Sequence, residues 1–152
     1  MAFAKFQSII YAPVTDVFAF YNDINNLKRI SPPGFKVEIL HVSGHPKTGT
    51  RIELSIKKLL ITLHWTVLIT DFKANQYFVD FQEKGPFAKW IHRHEFHLHE
   101  EGTELIDVLE YELPLYPISW PLQKFIVLPQ FKKMFKYRHE KTREYLEKKA
   151  AF

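Results

Sequence analysis

The sequence predicts an α+β domain in which a curved antiparallel sheet of seven strands wraps around a long C-terminal helix. One strand and two short helical segments come first, six segments of alternating apolar and polar residues follow, and a long helical segment ends the chain. Six strands in a row with short connections and a half-polar face are typical of an antiparallel meander. The long helix needs an apolar surface to cover its apolar stripe, and the inner face of the sheet is the surface available.

The N-terminal part combines one strand with two short helices. Residues 3–11 alternate loosely and form a strand that ends at Pro13. Apolar residues recur at spacings of three and four over 15–21, which predicts a short amphipathic helix that opens just after the proline. Asn22 or Asp23 can cap a second short helix, which the following Pro-Pro-Gly sequence terminates.

The last part of the chain predicts one long helix. Ser119 is a suitable cap and Pro121 fits the first turn. A helix from there to Lys149 would span roughly 45 Å at about 1.5 Å per residue. Pro129 removes one backbone donor and should kink the helix. The predicted inward face comprises Phe131, Phe135, Arg138, Thr142 and Tyr145.

The composition describes a globular chain with an unusual share of aromatic residues. Of 152 residues, 46% are hydrophobic and 25% charged, which fits one folded domain spanning 1–152. Aromatic residues make up 16%, with 14 Phe, 7 Tyr and 3 Trp, enough to overfill a small core or to line a cavity. The chain has no cysteine, which excludes disulfides, thiolate metal sites and cysteine nucleophiles.

The charge pattern and the apolar segments bear on partners and location. The net charge is +4, but Lys and Arg alternate with Asp and Glu over most of the chain, so no nucleic-acid partner is expected. We interpret the basic stretch from Lys132 to Lys149 as a solvated helix face. The first residues lack the pattern of a signal peptide, and the apolar stretch 59–69 is too short to span a membrane. We therefore expect a cytoplasmic protein that is a monomer or a weak dimer.

A short apolar segment precedes the basic stretch. We expect it to bury against the sheet, although it could touch a membrane or a partner protein instead. Membrane contact is therefore possible but is not the favoured interpretation. The apolar residues concerned are Trp120, Leu122, Phe125, Ile126 and Leu128.

Four sequence motifs carry a resemblance to a known superfamily. They are Gly85-Pro86-Phe87, Trp90-x-His92-x-His94-x-Phe96, Gly102-Thr103 with Asp107 and Tyr111, and Phe135-x-Tyr137-Arg138. With the predicted order of elements, the chain resembles the helix-grip fold of the START-like (SRPBCC) superfamily. This superfamily also holds plant pollen-allergen-like and polyketide cyclase/dehydrase-like proteins. The closer similarity is to a bacterial branch of uncharacterised ligand-binding proteins, and it covers essentially the whole chain.

The resemblance implies a hydrophobic cavity between the sheet and the long helix. Across the superfamily such cavities hold lipids, sterols, hormones or polyketides, and the resemblance implies no metal. Because the superfamily includes both binding proteins and enzymes, the fold alone does not decide the activity.

The segment from Trp90 to Phe96 is the most informative for function. Successive side chains of a strand face opposite sides, so Trp90, His92, His94 and Phe96 share one face, while the charged residues between them share the other. The preceding strand carries a second set on one face. That set consists of Phe78, Asp80 and Gln82.

Several roles are open for the two inward histidines. An inward Asp80 is costly to bury unless it is paired, so His92 or His94 is its natural partner. The histidines could be core residues satisfied by hydrogen bonds to Asp80, Gln82 or water, or they could orient a carboxylate or hydroxyl of a ligand. With Asp80 they could act as general acid and base. They could also bind a metal ion with Asp80 or Asp107 as third ligand, although we expect no metal.

Further candidate ligand-binding residues come from other elements. Trp65 is in phase with its apolar neighbours and faces the core or the pocket. Arg138 is unusual on an apolar helix face, and either reaches the edge of the domain or clamps an acidic ligand or Asp107. Tyr111, Phe131 and Phe135 complete the candidate set.

The aromatic content, the helix-over-sheet layout and the resemblance favour a carrier or sensor that binds an apolar small molecule, which the resemblance implies is lipid-, sterol- or polyketide-like. A first alternative is a cyclase, dehydratase or isomerase in which His92, His94 and Asp80 act as acid and base groups. A second is a protein-interaction module whose pocket is closed by its own side chains. The sequence has no Gly-rich phosphate loop, dinucleotide fingerprint or HExxH motif, and we expect no cofactor.

Overall fold

The computed structural model describes the backbone of residues 1–150 and the side chains of residues 1–148. A short helix and a 3₁₀ turn follow the first strand, and a π-helical turn interrupts the long helix at the end. The last three elements are continuous and are together called the C-terminal helix. In chain order the elements are β1 (Ala2–Ile10), α1 (Val14–Asn22), the 3₁₀ turn (Ile24–Lys28), β2 (Phe35–Val42), β3 (Arg51–Lys58), β4 (Ile61–Lys73), β5 (Tyr77–Lys84), β6 (Lys89–His99), β7 (Gly102–Glu112), α2 (Trp120–Leu122), the π turn (Gln123–Val127) and α3 (Leu128–Ala150).

The strands form one antiparallel sheet in the order β1-β7-β6-β5-β4-β3-β2. Strands β2 to β7 follow one another as a meander, and β1 joins the sheet by pairing with β7, from Ala2 opposite Tyr111 to Ile10 opposite Thr103. The predicted α+β fold is confirmed, including the seven strands and the C-terminal helix. The second short helix is a 3₁₀ turn, capped by the side chain of Asp23.

The antiparallel order places the turns of the sheet at two opposite ends. One end holds the β3–β4 and β5–β6 turns and the start of the C-terminal helix, because β7 ends there at Glu112. This end is called the α2 end. The opposite end holds the β4–β5 and β6–β7 turns.

The inner face of the sheet carries two apolar clusters. Strand alternation brings the predicted residues of β6 inward, since Trp90, His92, His94 and Phe96 are all buried. The α1 cluster lies beneath α1 and the 3₁₀ turn and includes Phe18, Phe78, Phe96, Leu105, Ile52 and Leu54. The α3 cluster lies beneath the C-terminal helix and includes Ala4, Trp90, Leu109, Tyr111 and Phe135, with Trp65, Phe87 and Phe131 packed against it.

The buried face of the C-terminal helix overlaps the predicted one but differs by one position at two residues. Phe131 packs against the α3 cluster, on the predicted side. Phe135 and Thr142 are buried as predicted, but the other buried positions are His139 and Leu146, each one residue beyond Arg138 and Tyr145. Next to Pro129, where a kink was predicted, a π turn lies just before α3. At position 129 the chain has no N–H for a regular α-helical bond, so this part of the helix adopts a wider turn.

The expectation that the apolar segment 120–128 buries against the sheet is wrong for most of it. Trp120, Leu122, Phe125 and Ile126 are exposed, while Leu128 packs against the α3 cluster. The inward position of this turn is taken by the buried Gln123 instead, whose side-chain carbonyl accepts a hydrogen bond of 3.1 Å from the backbone N–H that follows β7. Within residues 1–150, no helix is both long and apolar enough to cross a membrane.

The turn between β6 and β7 depends on the glycine at its end. Gly102 has φ +143°, and a Cβ at this position would lie 2.3 Å from the carbonyl oxygen of Ile10. We expect Gly102→Ala to lower the free energy of unfolding by roughly 3 kcal/mol or more, because the neighbouring atom is backbone and cannot yield. Gly44→Ala is the matched control, since Gly44 has φ +146° but nothing within 4 Å. It should cost only the conformational part, about 1–2 kcal/mol, in the same urea unfolding measurement. Equal losses in the two variants would contradict the steric explanation.

Candidate functional site

A buried carboxylate, Asp107 of β7, is the centre of a polar network between the two apolar clusters. Asp107 is only 1% exposed and lies opposite His94 in the β6–β7 register. Its Oδ1 lies 2.7 Å from Nε2 of His92, and its Oδ2 lies 2.6 Å from Nε2 of His139 on α3. Nδ1 of His94 is 2.9 Å from the same Oδ1, but the geometry of this contact is not that of a hydrogen bond. Three imidazoles from two elements therefore surround one carboxylate.

The network continues from His94 to Asp80 on β5. Nε2 of His94 lies 3.1 Å from Oδ2 of Asp80, so the predicted pairing of Asp80 with an inward histidine is confirmed. Asp80 is partly exposed, unlike Asp107. His94 thus lies between two carboxylates, one of which is reached by solvent.

A second branch leads from Asp107 to the edge of the sheet. The hydroxyl of Ser8 on β1 lies 2.8 Å from Nδ1 of His139, while Nε2 of the same ring contacts Asp107. With Nε2 protonated, the ring donates to the carboxylate and accepts from the serine hydroxyl. Ser8, His139 and Asp107 therefore form a hydrogen-bonded chain that ties β1, α3 and β7 together.

Burial and neighbouring charges separate the two histidines of β6. Burial lowers the pKa of His92 to about 4, with the charge of His94 adding to the effect and the hydrogen bond to Asp107 opposing it. Burial also opposes the charged form of His94, but the hydrogen bond to Asp80 and the charges of Asp107 and Asp80 outweigh it and raise its pKa to about 9. At neutral pH His92 is therefore neutral and His94 is an imidazolium.

Asp107 itself stays ionised despite its burial. Burial alone would raise its pKa, but the hydrogen bonds from His139 and His92 and the charge of His94 hold the pKa well below its usual range. The charged His94 therefore has a permanent counter-charge inside the domain.

Arg138 and Tyr21 border the network on the α1 side. Arg138 is partly exposed, but its Nε is buried and unpaired. Burial lowers its pKa, while the charges of Asp107, Tyr21 and Asp80 act in the opposite direction. The structure thus places Arg138 near Asp107 without a direct ion pair. The hydroxyl of Tyr21 lies 3.1 Å from that of Thr142, and burial raises its pKa.

The aromatic candidates of the α3 cluster form one group of rings at the α2 end. Ring centroids of Trp65 and Trp90 lie 4.9 Å apart, those of Trp90 and Phe131 5.5 Å, and those of Tyr111 and Phe131 4.9 Å. Phe87 packs between Trp65 and Tyr111 at 5.6 and 6.1 Å. Two polar atoms in this group, Nε1 of Trp65 and the hydroxyl of Tyr111, are buried and have no hydrogen-bond partner.

The remaining candidates lie outside this group. Phe78 stacks on His94 with centroids 4.3 Å apart, and Phe96 is stacked 6.0 Å from Phe78, both in the α1 cluster. Gln82 is buried and holds the β5–β6 turn, since its Nε2 donates a 2.7 Å hydrogen bond to the carbonyl of Phe87. Phe135 stacks on Phe6 at 4.5 Å and lies against His92. The structure thus divides the candidate residues among two apolar clusters, a polar network and a turn.

Two clefts open on the surface of the described part of the chain. One of about 260 Å³ lies between β1 and α3 and is lined by Ser8, His139 and Phe135. The other, of about 560 Å³, lies at the opposite end beside Tyr77 and Arg93. Neither is lined by the rings of the α3 cluster at the α2 end, which pack against one another on the inner face.

A metal ion would find one suitable set of ligands among the described residues. Single ligand atoms of Asp80, His92 and His94 lie within 4.8 Å of one another. Nε2 of His92 and Nε2 of His94 already contact carboxylates within the network. We assign no metal to it.

The sequence did not indicate three members of the site: His139, Ser8 and Tyr21. His139 follows Phe135 by four residues, a spacing that would have identified it had the helical face been assigned one position further along. Ser8 could be found only once β1 was known to lie beneath α3, and the spacing around it does not indicate a partner.

The curved sheet and the long helix over its inner face define a START-like helix-grip protein. The family described as "Polyketide cyclase / dehydrase and lipid transport" matches residues 10–137, and the chain belongs to this family. A search of curated proteins found no match.

Solved structures with the same fold cover nearly the whole chain. Protein CV1439 from Chromobacterium violaceum has a TM-score of 0.77 at 11% identity, covering 97% of this chain and 99% of its own. TTHA0849 from Thermus thermophilus has a TM-score of 0.76 at 19% identity, covering 95% and 97%. A START superfamily protein from Mycobacterium smegmatis has a TM-score of 0.70 at 16% identity, covering 96% and 97%. At these identities the similarity shows the fold.

The raised pKa of His94 makes the stability of the fold depend on pH on the alkaline side. A histidine whose pKa is raised by folding adds stability that is fully present below its unfolded pKa near 6.5 and is lost as the pH rises toward about 9. We expect the free energy of unfolding to fall by up to about 3 kcal/mol across this window, as measured by urea unfolding at a series of pH values.

Two variants test the assignment to His94. His94→Gln should remove most of the alkaline slope, whereas His97→Gln changes an exposed histidine of the same strand and should keep it. A slope that survives in His94→Gln would mean that another group carries the alkaline dependence.

Proposed function

We propose that the protein binds a hydrophobic small molecule, lipid-, sterol- or polyketide-like, between the sheet and the C-terminal helix, as a carrier or sensor. The family description names both enzymes and lipid transport, which have apolar small molecules in common. The ligand site of the proposal is the group of rings in the α3 cluster at the α2 end: Trp65, Phe87, Trp90, Tyr111 and Phe131.

The observation that carries the proposal is the pair of unsatisfied polar atoms among these rings. A buried donor without a partner costs about 1–3 kcal/mol, so folded proteins rarely keep one without a reason. The chain has two in one aromatic group, Nε1 of Trp65 and the hydroxyl of Tyr111. A ligand with a hydroxyl or carbonyl on an apolar frame would satisfy these groups while its frame packs on the rings.

A path to this group is open on the inner face of β4. Ile61 and Leu63 are in phase with Trp65 and therefore point to the same side of the sheet. Both are exposed, whereas Trp65 is half-buried and Ile69, further along β4, is buried. The C-terminal helix therefore leaves the first residues of β4 uncovered. An apolar ligand would reach Trp65 over this surface.

The polar network supplies the inner wall of the proposed site. The ring of His92 lies edge-on to Trp90 at 6.1 Å and to Phe135 at 5.2 Å, so a neutral imidazole borders the aromatic group. The charged His94 and its carboxylates lie one step further in. A ligand whose polar end is neutral suits this arrangement of His92 next to the rings and charged groups beyond it. A ligand carboxylate would be repelled by Asp107.

Two conservative substitutions test the site. Tyr111→Phe and Trp65→Phe each remove an unpaired polar atom and keep a ring. In ligand-free protein, we expect Tyr111→Phe to keep or raise the free energy of unfolding by about 1 kcal/mol, because an unsatisfied hydroxyl is lost. The affinity for an apolar fluorescent probe with a hydroxyl should fall roughly tenfold, because one hydrogen bond to the ligand is missing.

The control is Tyr77→Phe, which removes a hydroxyl that lies outside the cluster and should change neither quantity. Native mass spectrometry of the purified protein gives an independent readout, with a co-purifying apolar molecule as the expected result. Protein that is always ligand-free and does not take up the probe would favour an interaction module whose pocket its own side chains fill.

Acid–base catalysis on such a molecule is the second candidate function, favoured by the state of His94. An imidazolium held between Asp80 and Asp107 can donate a proton at neutral pH, and Asp80 is reached by solvent. Under this hypothesis His94 and Asp80 are the acid and base groups of a cyclase, dehydratase or isomerase, and His92 borders the substrate.

Substitution of the histidines separates the two functions. In a binding protein, His94→Ala or His92→Ala should change the affinity for the apolar probe by about tenfold at most. In an enzyme, His94→Ala should lower turnover of a polyketide-like or sterol-like substrate by roughly 10²–10⁴-fold. If the wild type turns over a substrate and both variants retain that turnover, these residues are not the acid and base.

A further inference from the structure

We propose that the α2 end of the protein docks on the surface of a membrane that carries anionic lipids. This surface adjoins the path to the inner-face site at Ile61, but docking does not require a bound ligand.

Two exposed apolar segments lie at this end of the domain. The first is the β3–β4 turn, where Leu60 is 98% exposed and Leu59 and Ile61 are also exposed. The second runs from Leu115 to Ile126 and also exposes large apolar side chains along its length. Its exposed apolar residues are Leu115, Tyr116, Ile118, Trp120, Leu122, Phe125 and Ile126. Single exposed apolar residues are ordinary, but two runs of large exposed apolar side chains at one end of a domain indicate an interaction surface.

The backbone at this end has a conformation that leucine rarely adopts. Three non-glycine residues of the described chain have positive φ: Leu59 at 55°, Asn75 at 60° and Leu115 at 64°. Asparagine tolerates this conformation, but leucine does not, and a two-residue hairpin turn normally has Gly or Asn here. Both leucines are also exposed, so their side chains add little buried apolar area to the core. Leucine side chains at two exposed positions where Gly or Asn would suit the backbone better are what a surface that uses these side chains for contact would require.

The charge of the two segments selects the kind of partner. Residues 54–70 and 113–139 contain no Asp or Glu. A second copy of this chain would bring the same positive charges to the contact, whereas an anionic lipid surface would be attracted to them. Six exposed lysines lie in these two ranges: Lys57, Lys58, Lys124, Lys132, Lys133 and Lys136.

The lysines and the aromatic rings are arranged as at a lipid–water boundary. Nζ of Lys124 lies 4.9 Å from the ring centroid of Trp120 and 5.6 Å from that of Phe125, and Nζ of Lys58 lies 4.6 Å from that of Phe35. Tryptophan and lysine are favoured at the boundary between lipid acyl chains and headgroups. The apolar part of each side chain contacts acyl chains there, while the polar part stays among the headgroups. The apolar tips would insert below the lysines.

Vesicle flotation tests the proposal with the whole chain. We expect binding to vesicles of phosphatidylcholine mixed with phosphatidylserine, weak binding to phosphatidylcholine alone, and loss of binding as salt is raised. The double variant Phe125→Ser with Ile126→Ser should weaken binding to the anionic vesicles roughly tenfold or more, because two inserting side chains are lost. Leu98→Ser is the matched control, since this exposed leucine lies at the opposite end. It should bind as the wild type does.

Charge reversal tests the electrostatic part separately. Lys57→Glu and Lys124→Glu should each lower the partition onto anionic vesicles about fivefold or more. Lys73→Glu, an exposed lysine at the opposite end, should lower it little.

The strained turn provides a readout that a purely structural role would not give. Leu59→Gly relieves the positive φ and removes an inserting side chain, so it should raise the midpoint of urea unfolding while it weakens vesicle binding. Asn75→Gly, at a positive φ of the opposite end, should leave vesicle binding unchanged.

Three results would overturn the proposal. They are equal binding to both kinds of vesicle in high salt, loss of binding in Leu98→Ser as large as in the double variant, and no binding at all. A dimer in gel filtration that the double variant dissociates, with no vesicle binding, would assign the surface to a second copy of the chain. Tyr111→Phe should retain vesicle binding, so the ligand proposal and the docking proposal can fail independently.

Discussion

The structure depends on one buried carboxylate and the imidazoles around it. Asp107 connects β7 with β6 through His92 and His94, and with the C-terminal helix through His139. Removal of one partner from such a buried set leaves an uncompensated charge and typically costs about 3–5 kcal/mol. The network therefore fixes the helix over the sheet at one height and one rotation. The apolar clusters on either side would not define that position so closely, because apolar contacts are not directional.

The C-terminal helix is anchored unevenly as a result. Its second half holds the buried residues Phe135, His139, Thr142 and Leu146, while α2 and the π turn expose most of their apolar residues. At the α2 end the sheet thus has an aromatic group with unpaired buried polar atoms, an uncovered start of β4 and a basic, apolar rim. The proposed ligand site and the proposed membrane surface are adjacent for this reason. A molecule that leaves a bilayer would have a short apolar path to Trp65.

The fold was predictable because its signals are local, whereas much of the site was not. Alternation along β6 predicts that Trp90, His92 and His94 point inward, and the cost of burying Asp80 predicts its histidine partner. The helical face was assigned through Arg138 instead of His139, because spacings of three and four fit both and only tertiary packing distinguishes them. The exposure of Phe125 could not be predicted either, since an apolar residue at a helix start does not reveal how far the sheet extends beneath it.

The pairing of β1 with β7 has a consequence for how the domain assembles. Ala2 lies opposite Tyr111, so the first strand of the sheet pairs with one that follows about a hundred residues later. On a nascent chain, β1 waits without a ladder partner while the meander from β2 to β7 is completed by short-range hairpins. High contact order of this kind slows folding, and an unpaired strand is open to other chains in the meantime. The lysine at position 5, exposed on this strand, places a charge in the stretch that stays unprotected for longest.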